Sequence, residues 1–153
     1  MKQVWMNSPL GAMRIVEEGG AIVRLDWGGT PEPSPEGSEL LREAKRQLSA
    51  YFSDERAPFD LPLRVAGSAF QKAVCDAMLA IPLGDTRTYG EIAKDLGAMP
   101  QAVGQACGGN PIPIIIPCHR VMGAKGLTGF SGAGGVESKV WLLRHEKAGG
   151  LLI

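Results

Sequence analysis

Cys118 and His119 are adjacent in Ile-Pro-Cys-His-Arg-Val (116–121), so a potential nucleophile sits beside a potential base. Only a thiolate attacks, and a reactive cysteine therefore requires a nearby proton acceptor and a partly exposed, polar niche. A Cys-His pair alone carries little weight. Here it closes a longer string, Asn-Pro-Ile-Pro-Ile-Ile-Ile-Pro-Cys-His-Arg-Val over 110–121, in which prolines restrict how the chain reaches the thiol. Glu146 lies in Trp-Leu-Leu-Arg-His-Glu (141–146), at the end of an apolar-periodic stretch. An acid at a helix C-terminus opposes the helix dipole, so its presence there calls for a specific partner.

These groups must be positioned by the elements around them. Residues 2–6, 12–17 and 20–26 read as short strands, with turns at Ser8-Pro9-Leu10-Gly11 and Glu18-Gly19-Gly20. Thr30 to Gly37 holds three prolines and reads as a loop. Leu40, Leu41, Ala44, Leu48, Tyr51 and Phe52 recur at helical spacing, predicting an amphipathic helix over 38–52. Phe59 to Leu63 alternates like an edge strand, and Trp5 and Trp27 are expected in the core. A linker near Arg64–Gly67 then leads to a mainly helical second half.

That half contains two expected capping boxes, Ser68 with Gln71 and Thr88 with Glu91. The first opens a helix that ends before Pro82 and carries Cys75 as a structural thiol; the second opens a helix over 89–96 that Gly97 ends. Pro100 suits the first turn of the next helix, which runs to about Cys107 before Gly108 and Gly109 break it. Two short helices joined by a tight turn form a helix-turn-helix candidate. The second, Gln-Ala-Val-Gly-Gln-Ala-Cys (101–107), is either a small-residue helix packed inside or one that approaches a nucleic-acid groove closely. Lacking Arg, Lys or Asn, it fits a narrow groove read by shape better than a major groove. Ile112 to Ile116 reads as a buried strand leading to Cys118, and the loop 122–135 holds six glycines. A last helix is expected over Val136–Lys147 with Val140, Trp141, Leu143 and Leu142 inward; His145 is expected to be structural. The fold class is therefore α+β: a small N-terminal antiparallel sheet with a helix (1–63), then a winged helix-turn-helix-like domain (64–153).

At 153 residues the chain can bury a real core. Net charge is zero overall, but residues 1–63 carry seven Lys/Arg against ten Asp/Glu (−3) and residues 64–153 nine against six (+3), placing an anionic partner on the second half. No charged-then-apolar leader opens the sequence, and no apolar run approaches the roughly 18–20 residues that span a bilayer. Three cysteines without CxxC spacing, and only two histidines, argue against zinc and disulfides and for a reduced, cytoplasmic setting.

The string at 110–121, with Gly-Phe-Ser-Gly (129–132) and Trp-Leu-Leu-Arg-His-Glu (141–146), resembles the O6-alkylguanine-DNA alkyltransferases, the methylated-DNA–protein-cysteine methyltransferases. The similarity is strong over about 68–147. It is looser in the N-terminal unit, through Ser-Pro-Leu-Gly (8–11) and the helix ending Tyr51-Phe52. The resemblance implies repair of double-stranded DNA containing alkylated guanine without a cofactor; from the residue counts above no metal or membrane is expected, and a monomer is the default. The lesion is flipped out and its alkyl group moves irreversibly to Cys118, once per molecule.

It further implies that His119 takes the thiol proton through a water, that Glu146 orients His119, and that Asn110 holds the cysteine loop. Tyr89 would donate to the guanine ring, Ser131 would bond near O6, the Val121 carbonyl would accept from the exocyclic amine, and Pro113 would line the alkyl site. Gln101, Ala102 and Gly104 would meet the minor groove, while Arg120 is left between a structural and a phosphate-binding role.

The chain departs from the family at one place. An arginine usually stands in an Ala-Arg-Ala-Val-Gly pattern where this chain has Pro100-Gln101-Ala102-Val103-Gly104, and the segment after Tyr89 is about two residues shorter. Gln101 can fill the gap left by a flipped base but brings no charge, a difference of about 1–3 kcal/mol for one charge-assisted contact. The alternative function is a lesion sensor that binds alkylated DNA without accepting the group. Its relatives lack the cysteine, and this chain has it. A Cys-His hydrolase would need an oxyanion site and a route to turnover, and the sequence supports neither.

Overall fold

A computed structural model describes residues 2–28, 38–123 and 136–148. Three strands, β1 (Lys2–Met6), β2 (Met13–Glu18) and β3 (Ala21–Trp27), form an antiparallel sheet in sequence order. Gly11 (φ 107°) lies in the first turn, and Gly19 and Gly20 (φ 60° and 79°) supply the left-handed pair that a tight hairpin requires. The pairings Val4–Ile15, Met6–Met13, Ile15–Leu25 and Met13–Trp27 line up the apolar residues on one face. Trp27 packs against the core from that face. Trp5 does not: it pairs with Arg14 on the opposite, polar face, because Val4 and Met6 on either side of it point inward.

Helix α1 (Glu39–Ser53) starts at Ser38, whose hydroxyl accepts from the Leu41 amide at 3.1 Å, and it buries Leu41, Ala44, Leu48 and Tyr51. The side chain of Gln47 pairs with both backbone groups of Asp60 (2.8 and 3.2 Å), drawing the return segment along the helix. Residues 59–63 therefore run beside α1 and touch the sheet through a single bridge, Leu63 to Ile22, instead of forming the expected edge strand. Pro62 has no amide hydrogen to extend the ladder.

Helix α2 (Ala69–Leu79) is capped by Ser68, which accepts from the Gln71 amide at 3.0 Å. The expected second half of that capping box is absent, because the Gln71 amide group donates to the Ala106 carbonyl at 2.9 Å and so ties α2 to a later helix. Strand β4 (Arg87–Thr88) leads into α3 (Tyr89–Leu96), where the Thr88–Glu91 capping box is complete. Gly97, at φ 63°, closes α3 in the left-handed conformation that only glycine adopts without strain. Helix α4 (Pro100–Gly108) follows with Pro100 in its first turn. Strand β5 (Val121–Met122) pairs in parallel with β4, and α5 (Val136–His145) completes the fold. One hydrophobic core joins both halves of the chain, from Val4 and Leu48 to Val103, Ile116 and Leu142. The architecture is α+β. No helix among the described residues is long and apolar enough to cross a membrane.

Candidate active site

The segment from Asn110 to Cys118 is a buried turn. The β-branched run 112–116 was expected to be a strand, but the Ile116 amide donates to the Ile112 carbonyl and the Ile115 amide to Pro113, both at 2.9 Å. Ile114 sits at φ 72°, a left-handed conformation costly for a β-branched residue and tolerated where packing holds it. Burying a loop requires that its backbone groups be satisfied. Three prolines (Pro111, Pro113, Pro117) remove donors outright. Asn110 satisfies two more groups: its Oδ1 accepts from the Ile112 amide at 3.0 Å and its Nδ2 donates to the Ile116 carbonyl at 2.9 Å. Pro117 (φ −81°, ψ 69°) makes an inverse γ-turn, closed by the Cys118 amide donating to Ile116 at 2.8 Å. This turn delivers Cys118 to the start of a single 3-10 turn, Cys118–Arg120.

Cys118 is only 5 % exposed, against the expectation of a partly open niche, because the apolar residues before it fold the turn into the core. Neighbouring His119 is fully buried, and its Nε2 lies 2.7 Å from Glu146 Oε2. Glu146 follows the last turn of α5, which ends at His145, two residues short of the expected Lys147. Burial alone would raise the Glu146 carboxyl, but hydrogen bonds from His119 and Arg120 hold it down at about 2. The carboxylate therefore accepts, and His119 Nε2 donates. Burial depresses His119 in turn, so its imidazole is neutral and Nδ1 is the nitrogen that can receive a proton.

Arg120, left open by the sequence between two roles, turns inward. Its Nε donates to Glu146 Oε1 at 2.8 Å, its Nη2 to Oε2 at 3.2 Å, and its Nη1 to the Ile81 carbonyl at 2.7 Å. Tyr51, from α1, donates its phenolic proton to Glu146 Oε2 at 2.6 Å. His145 donates from Nε2 to the Tyr51 carbonyl at 2.6 Å and stacks on Trp141. Burial raises the Cys75 thiol and pushes Cys107 up to about 12.

Two participants escaped the sequence reading. Tyr51 looked like core, since its α1 spacing is apolar. Lys139 is fully buried, and its Nζ donates to the Val121 carbonyl at 2.5 Å. The inward face of α5 is Ser138, Lys139, Leu142 and Leu143, with Val140 and Trp141 only half-buried. A helical spacing of three, four and seven from Lys139 to Leu142, Leu143 and Glu146 was the available signal. The Val121 carbonyl keeps a second lone pair for another donor.

Tyr89 is half-buried at the first position of α3 and packs against the core. Helix α4 buries Val103, Ala106 and Cys107 and leaves Gln101 exposed, with Ala102 and Gly104 half-buried. A methyl group added at Gly104 would meet nothing within 4 Å, so its side of the helix is open. Pro113 is buried and borders a groove of about 530 Å³ that Asn110, Gly109 and Trp27 also line. Ser131 lies outside the described residues.

A cysteine beside a buried His–Glu–Arg chain, carried with a helix-turn-helix on an α+β scaffold, defines a class: proteins that join a thiol-bearing site to a helix-turn-helix. Comparison narrows the class. Residues 69–148 match the 6-O-methylguanine DNA methyltransferase DNA-binding domain, and residues 1–65 match the ribonuclease-like domain of the same family. The methylated-DNA–protein-cysteine methyltransferase of Methanosarcina acetivorans is 47% identical over 92% of this chain and 94% of its own length. That of Mycobacterium leprae is 43% identical over 93% and 90%. A crystal structure of the Mycobacterium tuberculosis relative in complex with DNA superposes with a TM-score of 0.83 at 42% identity, covering 95% of this chain and 92% of that one. The chain belongs to the 6-O-methylguanine DNA methyltransferase family.

Proposed function

We propose that this protein repairs DNA by taking the alkyl group of O6-alkylguanine onto Cys118, stoichiometrically and irreversibly. The observation that carries the reading is the pairing of His119 with Glu146 beside the only cysteine held at the end of the Asn110-pinned turn. In the reaction the Cys118 sulfur forms a bond to the alkyl carbon as the carbon–oxygen bond of the lesion breaks. The thiol proton passes to His119 Nδ1, through a water where the two do not touch, and Glu146 stabilises the resulting imidazolium. The departing base gains one proton from the Tyr89 hydroxyl and leaves as neutral guanine; Tyr89 regains a proton from solvent and the His119 imidazolium returns one to it. The thioether has no route back to a thiol, so each molecule acts once. No cofactor or metal is required, since sulfur is both nucleophile and final acceptor.

The substrate is double-stranded DNA carrying an alkylated guanine, which must leave the stack to reach a thiol this deep. Exposed Gln101 with Ala102 and Gly104 forms the DNA-facing side of α4, while Val121, Pro113 and Ser131 form the site for the flipped base. Residues 64–153 bind DNA and accept the alkyl group, residues 1–63 buttress them, and the protein works as a monomer in the cytoplasm.

Intact mass after incubation with O6-methylguanine duplex DNA tests this. The expected result is a gain of one methyl on the Cys118 peptide, absent in Cys118→Ala. Tight binding with unchanged mass would mean a lesion sensor instead.

A further inference from the structure

We propose that Tyr51, contributed by the N-terminal half, is a positioning residue that sets how firmly His119 holds a proton, by sharing the Glu146 oxygen that His119 uses. The inference rests on the alkyl-transfer reading above and adds to it a role for a residue more than sixty positions from the cysteine in sequence.

Among the described residues, Glu146 Oε2 receives three donors: the Tyr51 hydroxyl at 2.6 Å, His119 Nε2 at 2.7 Å and Arg120 Nη2 at 3.2 Å. Arg120 Nε occupies Oε1 at 2.8 Å. An oxygen that divides its charge among three donors pulls less strongly on each of them. A carboxylate bonded to His119 alone would favour the imidazolium, in which Nδ1 is already protonated and cannot take the thiol proton. Tyr51 and Arg120 draw part of that charge away. Burial works in the same direction, and the neutral imidazole is left with Nδ1 ready to act as base. Tyr51 can only donate here, because burial and the adjacent carboxylate push its phenol far above the ordinary range.

Among the described residues, other charged and titratable groups border this cluster. Arg120 bonds Glu146 directly, and Lys139, bonded to the Val121 carbonyl, lowers the proton affinity of His119 through its charge. Glu55 acts on Tyr51 and is paired with Lys147 at 2.9 Å. His145 is engaged with the Tyr51 carbonyl, and so fixes the tyrosine from the backbone side. Apart from His119 itself, the hydroxyl is thus the uncharged donor on Oε2 among the described residues, and its loss changes the field without adding or deleting an ion.

The test is the single-turnover methyl-transfer rate as a function of pH, followed by quench and mass, for wild type, Tyr51→Phe and protein with 3-fluorotyrosine at position 51 alone. In parallel, the His119 ring is titrated by carbon-13 NMR in DNA-free protein. Tyr51→Phe is expected to move the acid limb of the rate, and the His119 titration, to higher pH by about half a unit or more. The fluorinated tyrosine, a stronger donor, should move both to lower pH. An acid limb unmoved in both proteins, with any rate change uniform in pH, would show that Tyr51 only fills space; movement in the opposite sense overturns the proposal equally. If Tyr51→Phe fails to fold, the fluorinated protein decides. If wild type gains no methyl, the transfer reading fails, and the His119 titration still decides whether Tyr51 governs that imidazole.

Discussion

Lys139 Nζ and the Val121 carbonyl are joined at 2.5 Å in the interior, so an ammonium group is held next to the backbone that follows the Cys118–Arg120 turn. Burial lowers the proton affinity of Lys139, while the nearby Cys118 and Cys107 thiols act in the opposite sense. Such a cation favours the thiolate that attacks. Lys139→Met, which keeps the volume and removes the charge, should slow methyl transfer at neutral pH on the order of tenfold, the effect of about one pKa unit. The rate should recover as pH rises. A deficit of equal size at every pH, measured by single-turnover assay, would leave Lys139 a purely structural role.

Asn110 closes the turn before Cys118 through two buried backbone groups. In Asn110→Ala the Ile112 amide and the Ile116 carbonyl lose their partner, at a cost of about 1–3 kcal/mol for each buried group left unsatisfied. The variant should unfold at lower denaturant concentration and also transfer more slowly than its loss of stability explains. Full transfer activity in the fraction that stays folded would separate the turn from the position of the thiol.

Glu146 titrates at about 2 in the folded protein against an ordinary 4.5. A depressed acid contributes stability that is fully present above the unfolded value and is lost as pH falls through the folded one. The stability of wild type should therefore decline between about pH 4.5 and 2 by an amount that Glu146→Gln lacks, as thermal melts across that range will report. At neutral pH the same variant should slow methyl transfer while duplex binding persists. Parallel loss of both would make Glu146 a scaffold residue.

Gln101 is exposed in the first turn of α4 and brings no charge there. Gln101→Arg should tighten binding to duplex DNA and steepen its salt dependence by about one counterion. Fluorescence anisotropy at several salt concentrations measures both. Unchanged affinity and slope would place this turn away from the DNA backbone.

Local chemistry in the sequence was enough to specify the frame. The turn glycines, the Thr88–Glu91 box, Gly97 and Pro100 each meet a requirement that neighbouring residues settle, so β1 to β3, α1, α3 and α4 were legible within a residue or two. The string 110–121 was legible as a family pattern, since a run of residues can be matched without knowing the fold. What only the tertiary structure decided is who shares Glu146. Tyr51 and Glu146 are 95 positions apart and Gln71 and Ala106 are 35, and no periodicity links residues across such distances. The run 112–116 has strand-forming composition, yet side-chain bonds from Asn110 and packing of four isoleucines coil it into a turn, since burial of the whole segment outweighs its local preference. Whether a polar side chain on a helix faces water or another charge is likewise settled only when the helices dock. Lys139 and Tyr51 were therefore visible as letters in the sequence, and their parts in the site became visible in the fold.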